Sequence, residues 1–238
     1  MSYLYLIINL FTISYPLAQS FERRLQYYKR WKALLPAMSI TAAFFLVWDV
    51  WFTHLGVWGF NERYLTGIYV SLLPMEEWMF FFTVPFASIF IYECVWYFLP
   101  TVENFKGLST SSIVLGIILI ITAIIFSTQA YTFCNFLFAG IFLVFVGWKN
   151  PVWQAKFWTG YFLVLIPFLV VNGILTGSFI EEPVVWYNNQ ENFGIRLLTI
   201  PIEDTIYALL LLLMNVYFYE LFIKKMNLLR TREHYSGL

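Results

Sequence analysis

Two adjacent carboxylic acids occur twice within nearly uninterrupted apolar sequence. They are Glu76-Glu77, inside Pro74-Met75-Glu76-Glu77-Trp78, and Glu203-Asp204, inside Pro201-Ile202-Glu203-Asp204-Thr205. The second motif follows the first by 127 residues, and Tyr92-Glu93 returns at the same spacing as Tyr219-Glu220. Upstream, Asp49 with Thr53 corresponds to Asn172 with Thr176, and Phe60-Asn61 to Tyr187-Asn188, once four residues are inserted in the second copy. A repeat of this length marks a duplicated unit. An acid at bilayer depth costs a few kcal/mol even on the lenient insertion scale, so it faces the bundle interior and marks function. Two carboxyls brought together in a dry site do not both ionise readily, and one keeps its proton. A held proton beside a charged neighbour is the equipment of general acid–base catalysis.

A single Pro-x-Glu would equally suit a helix start, with Pro in the first turn and Glu favoured by the helix dipole. The duplication and the second acid argue for a site. Glu76 and Glu77 lie about 100° apart on a helix, so they point in different directions. The first acid is Glu in both copies and the second varies, which ranks Glu76 and Glu203 above Glu77 and Asp204 as the proton donor. A second carboxylate of the cluster, or Asp49, would be the base. Glu76→Gln or Glu203→Gln is then expected to lose activity without losing the fold. Asp49 lies among Trp48, Trp51 and Phe52, and Asn172 offers the uncharged hydrogen-bonding version of its role. Glu93 and Glu220 are weaker substrate-facing positions that could as well be solvated or ion-paired, and His54 reads as an exposed loop residue.

The elements that must position these acids are membrane spans. Apolar residues make up 61 % of the 238 and charged residues 12 %, with mean hydropathy +0.71; soluble domains carry about 25 % charge. Aromatic residues, 22 % of the chain, suit interfacial belts and lipid-facing positions or a cavity for a long apolar or cationic ligand. Spans are expected near residues 3–20, 34–52, 68–98, 109–127, 131–148, 157–175 and 197–223, the first uncleaved because no basic stretch precedes it. Loops one, three and five and the tail hold 12 of the 14 Lys and Arg, leaving Arg63 and Arg196 opposite. The positive-inside rule then puts the N-terminus outside and the C-terminus in the cytoplasm. The fold class expected is an all-α membrane protein of seven transmembrane helices. Residues 1–106 and 129–238 form two parallel three-helix repeats and 107–128 the linking fourth helix, so equivalent acids share one depth.

Cys94 and Cys134 are too few for a disulfide framework and fall near opposite faces. With His54 and His234 the only histidines, multi-histidine metal chemistry is excluded, and no zinc, iron or phosphate-loop spacing occurs. A proton-coupled carrier also places acids in spans, though more typically with inverted repeats. A non-catalytic membrane protein that binds a long apolar ligand is a second alternative. A retinal photoreceptor is excluded because no Lys lies between residues 197 and 223.

At these residues the chain resembles the integral-membrane lycopene cyclases of carotenoid-making bacteria, including the two-subunit type and the cyclase half of fungal phytoene synthase–cyclase fusions. Each half of that family carries Pro-x-Glu-(Glu/Asp), matched by Pro74/Glu76/Glu77 and Pro201/Glu203/Asp204. The flanking blocks are also similar: Trp48-Asp49, Thr53 through Asn61, Asn172-Gly173, Thr176-Gly177 and Pro183 through Asn188. The resemblance covers nearly the whole chain, with both halves in one polypeptide. It implies proton-initiated closure of the acyclic end or ends of lycopene, or a related acyclic carotenoid, to β-rings in a bacterial cytoplasmic membrane. It implies no cofactor and no metal, membrane lipid as surroundings, no nucleic acid, and association with other carotenoid enzymes. Catalysis would fall to Asp49, Glu76, Glu77, Glu203 and Asp204. Asn172, Trp48, Trp51, Trp78, Tyr207, Glu93 and Glu220 would bind substrate, the rings steadying a carbocation by roughly 2 kcal/mol each when desolvated.

Overall fold

The structure is a computed structural model that describes residues 3–226; the tail residues Arg230 and Arg232 and His234 lie outside them. Seven helices follow the apolar stretches: α1 Leu4–Gln19, α2 Trp31–His54, α3 Met75–Phe98, α4 Leu108–Ile125, α5 Ala130–Lys149, α6 Gln154–Leu175 and α7 Glu203–Lys225. Six of them, α2 to α7, are long and apolar enough to cross a membrane, and the chain is an all-α membrane protein. With 16 residues, α1 is about 24 Å long at 1.5 Å per residue, shorter than a hydrocarbon core of about 30 Å.

Two expected boundaries are corrected. The third and seventh helices begin at Met75 and Glu203, not at 68 and 197, because the apolar residues before them form tight hairpins. Strand β2 Tyr69–Val70 pairs with β3 Leu73–Pro74, and β5 Arg196–Leu197 with β6 Ile200–Pro201. Hydropathy cannot separate a short apolar hairpin from a helical turn, but the backbone can. Ser71 and Leu198 take positive φ (59° and 58°) at equivalent turn positions, a conformation outside any right-handed helix. Pro74, at φ −63° and ψ 150°, ends the first hairpin and aims the chain into α3.

The remaining strands, β1 Trp58–Phe60 and β4 Val185–Tyr187, are antiparallel and join the two halves in the register Trp58↔Tyr187, Gly59↔Trp186, Phe60↔Val185. A Cβ on Gly59 would run into the Trp186 ring, so any larger residue here would have to push that ring off the strand pair.

Helix packing repeats. α1 lies on α3 as α5 lies on α7, while α2 crosses to α7 and α6 to α3, so each half supplies one helix to the other. At the end away from the paired acids the exchange is polar. The Arg30 guanidinium pairs with fully buried Glu93, which accepts the Tyr219 hydroxyl at 2.8 Å, and Tyr92 donates to Glu220 at 2.7 Å. Breaking a buried pair by removing one partner is costly, so this cluster locks the halves in register.

α4 packs mainly on α5 through glycines. A Cβ on Gly140 would lie 2.6 Å from Gly116 O, a small-residue contact of the kind that brings membrane helices close. Gly140→Leu is expected to push α4 outward and destabilise the chain by about 1–3 kcal/mol. A lower midpoint in a detergent thermal-aggregation assay checks this.

Candidate active site

The first turns of α3 and α7 are held by a matching pair of residues from α1 and α5. Tyr5 and Asn9, four apart and so on one helix face, are repeated as Tyr131 and Asn135. Tyr5 donates its hydroxyl to Glu77 Oε2 at 2.5 Å, and Tyr131 donates to Asp204 Oδ1 at 2.5 Å. Asn9 Nδ2 donates to the Glu76 carbonyl at 3.0 Å, and Asn135 Nδ2 to the Glu203 carbonyl at 2.7 Å.

The two acids of each motif then part company. Glu76 Oε1 accepts the Thr66 amide at 2.7 Å. Glu203 Oε1 accepts the Phe193 amide at 2.7 Å and the Thr132 hydroxyl at 2.8 Å. Both are fully buried, pin the hairpin loops to the helix starts, and are not among the described lining residues of the cavity between the halves. Glu77 and Asp204, about 100° round the helix from them, line that cavity together with Asp49 and Asn172.

Around the cavity the halves differ. Asp49 Oδ1 accepts the Trp58 indole N–H at 2.5 Å, and its carboxyl and that of Glu77 line the same small cavity. Two ionised carboxylates cannot donate to one another, so a hydrogen bond between this pair requires that one carry a proton; Asp49 Oδ2 has no hydrogen-bond partner among the described residues. In the second half Asn172 replaces the aspartate. Its Nδ2 donates to Asp204 Oδ2 at 2.6 Å, and the Tyr187 hydroxyl donates to the same oxygen at 3.1 Å. Asp204 is thus a lone carboxyl held by three neutral donors. Burial pushes the Tyr187 phenol well above its usual range, with the adjacent Asp204 carboxylate adding to the shift, so Tyr187 stays a neutral donor.

The cavity measures about 50 Å³ and is walled by rings. Tyr131 and Tyr187 stack at 5.8 Å between centroids, and Trp58 meets Tyr131 edge-on at 5.3 Å. Phe80, Phe168 and Tyr207 complete the apolar surface, and no Lys, Arg or His is among its described lining residues. Among the described residues no group of three or more His, Cys, Asp and Glu is set to hold a metal ion. At the same end, Arg63 of one half pairs with Glu181 of the other at 2.8 Å, and Asn61 donates to Glu182 at 2.9 Å.

Of the residues singled out in the sequence, Asp49, Glu77, Asp204, Asn172 and Tyr207 come together here. Trp48 is buried just behind Tyr207, at 5.4 Å between ring centroids. Trp51 is half exposed. Trp78 donates to the Val70 carbonyl at 3.2 Å and lines a separate shallow groove on α3. Glu93 and Glu220 belong to the far cluster; Glu93 is 16 residues beyond Glu77, about 24 Å along the helix. His54 ends α2 and is exposed. The sequence reading missed Tyr5, Tyr131, Trp58 and Tyr187. The repeated Tyr-x-x-x-Asn of α1 and α5 was the available signal for the first two, and the strand pairing that presents the others has no local signature.

Fold and site define a class: an all-α membrane protein whose two similar halves enclose a ring-lined cavity bearing three carboxyls. The family model described as lycopene cyclase matches residues 2–95 and 128–222, which take in α1, α2, α5 and α6 whole and most of α3 and α7, and leave α4 outside. The chain belongs to the lycopene cyclase family, and as a member it is a carotenoid cyclase acting on a carotenoid substrate. Neither a curated protein nor a solved structure matches it.

Proposed function

We propose that this chain closes the acyclic ends of lycopene to β-rings, giving γ- and β-carotene, as an intramolecular lyase with no net redox change and no added cofactor. The observation that carries this reading is the cavity, where the carboxyls of Asp49 and Glu77 share one ring-walled space with a third, Asp204, that neutral donors hold. The proton shared by Asp49 and Glu77 is the one delivered to the terminal carbon–carbon double bond. The tertiary cation so formed is attacked by a neighbouring double bond, which makes the ring bond and moves the positive charge into the ring. Asp204 takes a proton from an adjacent ring carbon, and the electrons of that C–H bond form the final double bond. One proton enters and one leaves. The ring faces of Trp58 and Tyr207 steady the cation by about 2 kcal/mol each in so dry a site.

In this reading Glu76 and Glu203 hold the loops, and the donor role assigned to them from sequence passes to the acids facing the cavity. Residues 1–106 and 129–238 are parallel three-helix repeats and 107–128 the link. The N-terminus is outside and the C-terminus inside a bacterial cytoplasmic membrane, as the basic residues favour. Expressed in lycopene-accumulating cells, the chain is expected to yield γ- or β-carotene on pigment chromatography. Unchanged lycopene, with the protein verified in the membrane, would refute the reading.

A further inference from the structure

The cavity does not sit evenly between the halves. α6 gives it Phe168, Asn172 and Leu175, whereas α2 gives it Asp49 alone. The α2 counterparts of Phe168 and Leu175 are Phe45 and Phe52, four before and three after Asp49, and both are fully buried behind other rings. Those rings form a continuous wall from α2 to α5. Phe44 and Trp48 meet Phe138 at 5.4 and 5.3 Å between centroids, and Phe45 and Trp48 meet Tyr207 at 5.0 and 5.4 Å.

The matching side, between α1 and α6, is built differently. The register set by Tyr5/Tyr131 and Asn9/Asn135 makes Thr12 the counterpart of Phe138, seven residues on in each case. The register set by Asp49/Asn172 makes Val171 the counterpart of Trp48 and Pro167 that of Phe44. Where one side carries three interlocked rings, the other carries Thr, Val and Pro. Val171 and Thr12 are half-buried.

A lipid-dissolved substrate must reach the carboxyls through a side of the bundle. At about 50 Å³ the cavity is well below the roughly 150 Å³ that a dry cavity needs to hold a benzene ring, so admitting a cyclising end requires one side to yield. A seal of small aliphatic side chains parts more readily than an interlocked aromatic wall, where each edge-to-face pair adds attraction beyond burial. We propose that the acyclic end of the substrate passes from the lipid into the cavity between α1 and α6, past Thr12 and Val171, and that the Phe44–Trp48–Phe138 wall keeps the α2–α5 side shut. This rests on the cyclase reading and adds the route and the residues that control it.

The test uses a reversible block. In a chain whose Cys94 and Cys134 are replaced by alanine, Val171→Cys is modified with benzyl methanethiosulfonate, and lycopene cyclisation in membranes is timed before modification, after it, and after release by thiol. A fall of at least tenfold that reverses on release is expected, with no change when Val47→Cys, outward-facing beside Trp48, is treated alike. Thr12→Trp is expected to show the same tenfold loss from the α1 side. Stoichiometrically modified Val171→Cys that keeps its rate, with Thr12→Trp also unimpaired, would overturn the route while leaving the cyclase reading intact. An unmodified parent chain that forms no ring product would overturn both.

Discussion

Glu77→Gln is expected to lower lycopene cyclisation by at least about a thousandfold, at the upper end of what one positioned acid contributes, while the protein still folds in the membrane. The amide keeps the shape of the carboxyl. Its oxygen still accepts from Tyr5, the 2.5 Å contact that ties α1 to α3, and its N–H₂ takes the other carboxyl oxygen's place in the cavity that Asp49 also lines. What is lost is the transferable proton, because an amide donates a hydrogen bond without giving up the hydrogen. Asp49→Asn removes the other half of the shared site and is expected to cost as much. The double variant should be little worse than either single one, since residues acting as a unit are not additive. Glu76→Gln supplies the contrast. Its oxygen can still accept the Thr66 amide, so less than about a tenfold loss is expected. Ring formation per unit of membrane-verified protein decides between them: a severe loss in Glu76→Gln with near-normal Glu77→Gln would reverse the assignment.

That contrast also shows what the sequence could and could not convey. The duplication and the helices were legible because apolar runs and a repeat spacing are local, one-dimensional signals. Which acid of each pair faces the cavity was not. A 100° step between neighbours fixes their angular separation but not the orientation of the helix, and that is set by Tyr5 and Asn9 reaching across from α1. The ranking by residue identity favoured Glu76 and Glu203 because an invariant glutamate looks more demanding than a Glu/Asp alternation. A buried acid that caps a loop amide is just as demanding of its length. The hairpins before α3 and α7 were hidden because Leu72, Leu73 and Ile200 read as span residues, while the positive φ at Ser71 and Leu198 leaves no mark in hydropathy. The Trp58–Tyr187 pairing brings together residues far apart in the chain, and only the fold could supply the indole N–H on Asp49 and the phenol on Asp204.

Asp204→Asn is the variant in which rate and product should change together. In the wild type the carboxylate accepts from Tyr131, Asn172 and Tyr187, donors that fix its position and leave the charge to face the ring cation. An asparagine keeps one accepting oxygen for Tyr131 but turns an N–H₂ towards Asn172 and Tyr187, so two donors confront a third. The loss of charge stabilisation is expected to cost about a hundredfold to a thousandfold in rate. The cation that does form has lost its assigned base, and a proton departing from a different carbon beside the charge yields a different ring isomer. The expected chromatogram is therefore weak and mixed in ring type. Tyr187→Phe, which removes the longest of the three hydrogen bonds and leaves the charge, should lose no more than about tenfold and keep a single ring type. A merely structural Asp204 would lower yield without altering the isomer ratio, so the ratio carries the argument. Wild-type rate and ring type in Asp204→Asn would remove it from the reaction and return the base to Asp49 or Glu77, whichever had given up the proton.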